Sequence, residues 1–117
     1  MKPSVILYGI PNCDSIKKTI QYLNRNNIAY DFHNYKKQGI DKQKLKLWCD
    51  QVGWERLLNT KGTTWKKIAP VFEGKKMTAT LAISIMLEHH STIKRPVIET
   101  ESHVLVGYDE ATFNTIF

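Results

Sequence analysis

Long apolar runs are missing from this chain of 117 residues. No stretch approaches the roughly 20 apolar residues that a membrane-spanning helix requires, so we expect no membrane association. The apolar run near the N-terminus has only the length of a strand, which is too short for a signal peptide, and we expect a cytoplasmic protein. Repeats, linkers and low-complexity segments are missing too, and the length is typical of one domain covering residues 1–117.

Cysteine is scarce, because the chain has only Cys13 and Cys49, far apart in sequence. Two distant cysteines favour a reducing compartment over a disulfide scaffold. The adjacent histidines His89 and His90 do not share a helix face, so they do not predict a metal site. We therefore expect no metal and no bound cofactor.

Acidic residues are outnumbered, with 17 Lys and Arg against 11 Asp and Glu and a formal net charge of +6. This excess could indicate nucleic-acid binding, but no arginine-rich tract or recognised nucleic-acid motif accompanies it. The lysines are instead spread along the chain. A small anionic substrate or an acidic protein partner explains the charge at least as well.

The first informative segment is a strand, a turn and a cysteine. The apolar run Val5-Ile-Leu-Tyr8 predicts a strand covered on both faces, and Gly9 ends it. Apolar residues at helical spacing from Ile16 to Leu23 then predict a helix. Cys13 therefore lies at or just before the first helical turn, where free backbone N–H groups and the helix dipole favour a thiolate.

A thiolate stabilised in this way is a reactive one, and Cys13 is our candidate nucleophile. The alternative is a small buried cysteine without chemistry, which free cysteines often are. Lys17 and Lys18 follow one helical turn later and favour the reactive interpretation, whereas Asp14 opposes it mildly through its negative charge.

The rest of the chain alternates between strand and helix patterns. Residues 28–35 predict a second strand, parallel to the first through the intervening helix. Asp41 predicts the N-cap of a helix that Gly53 ends, with Cys49 on its apolar stripe. Cys49 is either a core residue, the interpretation we favour, or a resolving thiol for Cys13, which requires Cα atoms within about 7 Å.

The last third predicts a buried helix over residues 78–89, an antiparallel hairpin over 93–99 and 103–107, and a final helix capped by Asp109. Together the patterns predict an α/β fold, in which a mixed sheet is flanked by helices.

Several segments carry a resemblance to a known family. They are Tyr8-Gly-Ile-Pro-Asn-Cys-Asp-Ser-Ile-Lys-Lys18, Gly53-Trp54, Leu57-Leu-Asn-Thr-Lys-Gly-Thr-Thr-Trp65, Met86-Leu-Glu-His89 and Lys94-Arg-Pro96. In this order and spacing the chain resembles the glutaredoxin-coupled arsenate reductase (ArsC) family, and most of all its YffB-like branch. The resemblance implies a thioredoxin-like (glutaredoxin-like) fold with an inserted helical region at approximately residues 40–90.

The resemblance also implies roles for individual residues. Cys13 would be the nucleophile, and Arg95 would present its guanidinium to an oxyanion or to a glutathione carboxylate. Pro96 would have a cis peptide bond and form the wall beside the thiol. Lys17 would help to hold the thiolate.

Two further substrate-binding residues follow from the resemblance. Asn12 lies directly before the cysteine, and Lys61 lies near a position at which the arsenate reductases carry an arginine.

Three departures from the family pattern argue against arsenate reduction itself. The arsenate reductases carry a histidine four residues before the cysteine, where this chain has Gly9. They carry arginines at the positions that align with Asn59 and Tyr108. The arginine trio that grips arsenate is therefore incomplete.

The resemblance thus implies a monomeric thiol-dependent oxidoreductase with glutathione as co-substrate, and with glutathione or a glutaredoxin resolving the mixed disulfide. The alternative is a non-enzymatic regulator similar to the Spx proteins, which bind RNA polymerase. Those proteins often carry Cys-x-x-Cys at the helix start, and the second position here is Ile16, so their disulfide switch is absent. A third alternative is a thioredoxin-like domain whose cysteine has lost its chemistry.

Overall fold

The computed structural model describes residues 3–117. Its elements, in chain order, are β1 Ile6–Gly9, α1 Asp14–Arg25, β2 Asp31–Asn34, α2 Tyr35–Gln38, α3 Lys42–Val52, α4 Trp54–Leu57, α5 Thr63–Ile68, a 3₁₀ turn Ala69–Phe72, α6 Ala79–Glu88, a 3₁₀ turn His90–Thr92, β3 Val97–Glu99, β4 Val104–Val106 and α7 Glu110–Ile116. They form two compact units. The sheet unit comprises the described residues up to 38 together with 95–117, and the helical unit comprises 39–94.

The sheet unit is built on four strands in the order β2-β1-β3-β4. The pair β1 and β2 is parallel, which confirms the crossover predicted through α1. The pairs β1–β3 and β3–β4 are antiparallel, and the second of these confirms the predicted hairpin. The result is the mixed sheet that the sequence predicted.

One face of this sheet supports a hydrophobic core. Leu7 and Ile98, which are opposite each other in the register, pack with Ile16, Leu23 and Phe113 from helices α1 and α7, and all five are fully buried. Burying side chains of this size stabilises the fold by about 1.5–3 kcal/mol each. Because Ile16 lies in the first turn of α1, the core fixes the start of that helix and the residue before it.

The helical unit confirms the predicted helix signals. Asp41 caps α3 by accepting a hydrogen bond from the Lys44 N–H at 2.7 Å, and Gly53, with a φ of 86°, ends the helix. Thr78 caps α6 in the same way, accepting from the Leu81 N–H at 3.2 Å. Helix α3 packs against α4 and α6, and it contributes the fully buried Trp48.

Several predicted strand boundaries were wrong. The second strand begins at Asp31 rather than at Ile28. The second strand ends at Asn34 because its side-chain oxygen accepts a hydrogen bond from the Lys36 N–H at 2.9 Å, which turns the chain into α2. The strand before the hairpin begins only at Val97, because Ile93 forms an isolated antiparallel bridge with Leu58 instead.

Candidate functional site

Cys13 is the N-cap residue of α1. Its backbone is extended, with φ −142° and ψ 129°, and its carbonyl oxygen accepts the first helical hydrogen bond, from the Lys17 N–H at 3.0 Å. The side chain makes no capping hydrogen bond. The thiol is therefore placed at the positive end of the helix without being used to cap it.

The surroundings of Cys13 differ on its two sides. The residue is partly buried and packs against the core cluster that contains Leu7 and Ile16. Its neighbours Asn12 and Lys17 are both exposed. Cys13 is thus held in place by the core on one side and faces exposed polar residues on the other. A nucleophilic cysteine needs this combination of fixed position and access.

Arg95 and Pro96 directly precede β3 and lie near the end of β1, from which the chain continues to Cys13. The peptide bond between them is cis, which confirms the isomer implied by the family resemblance. Because β1 pairs with β3 with Tyr8 opposite Val97, the antiparallel register brings Arg95 and Pro96 beside the C-terminal end of β1. Chain emerging from that end forms the loop that carries Cys13.

The guanidinium of Arg95 is incompletely satisfied. Its Nη1 atom is buried and has no hydrogen-bond partner among residues 3–117. A buried donor without an acceptor is costly, and a guanidinium fork is suited to a carboxylate or another oxyanion. The side chain can therefore bind an anion at the end of β1.

Gly9 explains why no larger side chain occurs four residues before the cysteine. A Cβ atom built on Gly9 would collide with Cδ1 of Ile16 and would lie 3.0 Å from its Cγ1, as well as 3.9 Å from Cγ of Arg95. The clash is with the far end of the Ile16 side chain, so a larger residue at this position requires that side chain to shift within the core. A histidine at this position would require the helix start to be repacked.

An aromatic and acidic cluster behind the strand end was missed from the sequence. The Tyr8 hydroxyl donates to Oε1 of Glu99 at 2.6 Å, and the Tyr8 ring lies 4.9 Å from that of His33 and 6.4 Å from that of Tyr35, between centroids. Burial raises the pKa of Tyr35, the Tyr8 hydroxyl adds to the rise, and the Arg95 charge opposes it. The alternation of residues 28–35 was the available signal, since it places His33 and Tyr35 on one side of the chain.

The one predicted site residue that lies in the helical unit is Lys61. Lys61 is exposed, and its backbone N–H donates to Oδ1 of Asn59 at 3.1 Å. Its role in substrate binding stays a prediction.

Cys49 is buried in α3, which confirms it as a core residue. Its pKa is raised by burial and, to a smaller extent, by the negative charges of Asp50 and Glu55. Both cysteines are free thiols. A neutral, buried thiol is a poor nucleophile, so the local environment of Cys49 does not favour the resolving role.

Neither metal-binding nor membrane-spanning features occur in the part of the chain that the structure describes. No group of three or more His, Cys, Asp or Glu side chains within residues 3–117 could hold a metal ion. Across the same residues, no helix is long and apolar enough to cross a bilayer.

Comparison with known proteins gives a consistent result. The model of the ArsC family matches residues 8–116. The solved structure of a protein named YffB is 40% identical, with a TM-score of 0.90, and the match covers 95% of this chain and 96% of that one. An arsenate reductase-related protein from Brucella melitensis is 39% identical, with a TM-score of 0.76 and coverage of 96% and 92%.

Curated relatives extend the comparison. An uncharacterised protein of Haemophilus influenzae is 33% identical, over 97% of this chain and 98% of its own length. The global transcriptional regulator Spx of Streptococcus agalactiae is 22% identical, over 91% of this chain and 77% of its own. These similarities confirm the expected fold of the ArsC type.

Proposed function

Because the chain belongs to the ArsC family, we propose that it is a thiol-dependent oxidoreductase with Cys13 as nucleophile and glutathione as co-substrate. The observation that carries the proposal is the pairing of a half-buried, uncapped thiol at a helix start with an unsatisfied guanidinium at the adjoining strand end. Nucleophilic sulfur and anion recognition are the two functions that a glutathione site needs.

The reaction is a pair of thiol–disulfide exchanges. The Cys13 thiolate attacks the glutathione sulfur of a mixed disulfide, forming a Cys13–glutathione disulfide and releasing the substrate thiolate, which takes up a proton. A second glutathione, as thiolate, attacks the glutathione sulfur of that intermediate. This step releases Cys13 as a thiolate and gives glutathione disulfide. Across both steps, the substrate–glutathione disulfide and one glutathione thiol give the substrate thiol and glutathione disulfide.

The other residues of the site support these exchanges. The planar fork of Arg95 is suited to a glutathione carboxylate, and Pro96 provides the wall beside the thiol. The exposed Lys17 and Asn12 add charge and hydrogen-bonding groups at the mouth of the site. Lys61 remains a candidate for the binding of a second anionic group.

Arsenate is a poor candidate substrate. Gly9 stands where the arsenate reductases carry a histidine, and a side chain there would displace the Ile16 side chain. Tyr108, where the arsenate reductases carry an arginine, donates its hydroxyl to Oε2 of Glu110 at 3.0 Å. An acidic partner in that place is the opposite of what an arsenate oxyanion requires.

A regulator that binds RNA polymerase is the second candidate, and the similarity to Spx over 91% of the chain favours it. Ile16 is fully buried in the core, so a Cys-x-x-Cys switch could not be restored there without repacking. Capture of purified polymerase by both the wild type and Cys13→Ser would support this candidate. Capture by neither would eliminate it.

The proposal is tested by the rate of Cys13 alkylation at pH 7, measured by mass spectrometry in a Cys49→Ser background. We expect Cys13 to react faster than a cysteine peptide, and Arg95→Ala to slow both alkylation and reaction with glutathione disulfide by about tenfold, the equivalent of one charge-assisted hydrogen bond. Lys94→Ala, which removes the exposed positive charge one residue earlier, is the matched control and should change neither rate. A rate equal to that of the peptide, unchanged by Arg95→Ala, would remove the basis of the mechanism.

A further inference from the structure

A cavity of about 340 Å³ lies within the helical unit, between α3 and α6. Its size falls at the lower end of the range that is typical of small-molecule sites. Its lining comes entirely from the two helices, and we call it the α3–α6 groove. None of the residues that line it takes part in the thiol chemistry proposed above.

One side of the groove carries an apolar row. Ala79, Ile83 and Leu87 form it, and their spacing of four residues places them along one face of α6, beside the hydroxyl residues Thr80 and Ser84. Ile83 is buried, whereas Leu87 is 37% exposed. Cys49 also lines the groove, and the raised pKa of its thiol keeps it neutral. An occupant that lies along the row of Ala79, Ile83 and Leu87 is expected to be apolar on that side.

The opposite rim is charged. Lys42, Lys46 and Asp50 recur every four residues along one face of α3. Neither Lys42 nor Lys46 forms an ion pair with another residue among 3–117. Asp50 lies one turn beyond Lys46, so the positive charge is concentrated along the first half of α3.

We propose that the α3–α6 groove binds a small linear amphiphile with one carboxylate head and an apolar chain, such as a medium-chain fatty acid. The head would lie between the Lys42 and Lys46 ammonium groups, and the chain would extend along the Ile83 wall past Cys49. The groove follows eight residues of α3, which is about 12 Å at 1.5 Å per residue. A peptide helix fits less well, because its diameter with side chains is already about 10–12 Å.

Methyl NMR on the full chain tests this proposal, with decanoate as the probe and decanol as its uncharged counterpart. We expect decanoate to shift the methyl resonances of Ile83 and Leu87 and to bind about fivefold more tightly than decanol, as a surface ion pair of ordinary strength provides. As a second readout, decanoate should slow the alkylation of Cys49 in a Cys13→Ser background.

Variants separate the charge from the shape of the site. Lys42→Gln combined with Lys46→Gln should lower decanoate affinity to that of decanol. The matched control, Lys36→Gln with Lys37→Gln, neutralises two exposed lysines of the sheet unit and should have no effect. Ala79→Phe should fill the groove and weaken both ligands.

Three results would overturn the proposal. The first is the absence of any Ile83 shift up to the solubility limit of decanoate, and the second is equal binding of decanoate and decanol. The third is binding that survives Ala79→Phe, because the ligand would then lie elsewhere on the surface. A shift confined to the exposed Leu87 methyls would likewise mean surface adsorption and would contradict a site beside Ile83.

Discussion

The two cysteines are the same residue in opposite settings. Cys13, in the sheet unit, is partly exposed at the N-cap of α1, and its side chain is free of any capping bond. Cys49, in the helical unit, is buried on the apolar stripe of α3, and its pKa is raised. The position of each cysteine relative to its helix therefore favours a reactive role for Cys13 and a packing role for Cys49.

The two helix starts differ in the same way. At α3 the carboxylate of Asp41 caps the Lys44 N–H at 2.7 Å, whereas at α1 the Cys13 side chain caps nothing. A cap of this kind stabilises a protein by about 0.5–2 kcal/mol relative to alanine. The sheet unit lacks that stabilisation at the one place where a reactive side chain is required.

The sharpest test of the comparison is the ratio of the two alkylation rates in the folded protein. At pH 7 we expect Cys13 to react at least about 100-fold faster than Cys49, because Cys49 is largely buried and its thiolate is disfavoured. Competitive labelling with light and heavy iodoacetamide, followed by peptide mass spectrometry, measures the ratio. Comparable alkylation rates for the two thiols would contradict a reactive Cys13 and a buried Cys49. As a control, the two rates should become equal when the protein is denatured in urea.

Removing the largest buried side chain of the helical unit should expose Cys49 while testing the core. Trp48 is fully buried, and Trp48→Ala should cost about 3–5 kcal/mol of unfolding free energy and accelerate Cys49 alkylation. Leu47→Ala, at the neighbouring position on the same helix, is the control. Leu47 is 45% exposed, so we expect a loss of less than about 1 kcal/mol. Urea denaturation measures both, and equal losses would mean that Trp48 does not hold this unit together.

Serine substitutions should change stability in opposite directions. Cys49→Ser places a hydroxyl in an apolar stripe and should cost about 1–3 kcal/mol. Cys13→Ser introduces a good N-cap residue and should add up to about 1 kcal/mol while abolishing thiol chemistry. Thermal and urea unfolding of both variants and the wild type would measure these two changes in stability. A destabilised Cys13→Ser would show that the thiol, rather than its position, contributes to the fold.

Much of this contrast could be read from local sequence signals. The N-cap position of Cys13 follows from the apolar run before it and the helical period after it, and Asp41 and Gly53 mark the limits of α3 directly. Such signals depend on neighbours within a few residues, so they need no knowledge of the fold.

Features that depend on strand order were beyond a single sequence. The antiparallel β1–β3 register, which brings Arg95 beside the end of β1, follows from the order of four strands. The sequence pattern predicted a strand that starts at Ile93, but the Ile93 backbone pairs with Leu58 in the helical unit. The contact that a side chain at Gly9 would make with Ile16 depends on where Ile16 packs. These are outcomes of tertiary packing, which the residue pattern alone does not specify.

The smallest expected effect is a difference in stability at alkaline pH between the wild type and Cys49→Ala. Burial, with the charges of Asp50 and Glu55, raises the pKa of the Cys49 thiol in the folded chain above the unfolded value. The neutral thiol therefore contributes stability that is complete below the unfolded pKa, at about 8.5 for a free thiol, and is lost as the pH rises through the folded pKa. Cys49→Ala should consequently lose less stability than the wild type between about pH 8 and pH 10. Tyr35, whose pKa is also raised, is present in both proteins, so its contribution cancels in the difference between their urea midpoints. Parallel midpoint curves would mean that the Cys49 thiol ionises as easily in the folded chain as in water, and the contrast between the two cysteines would then depend on access alone.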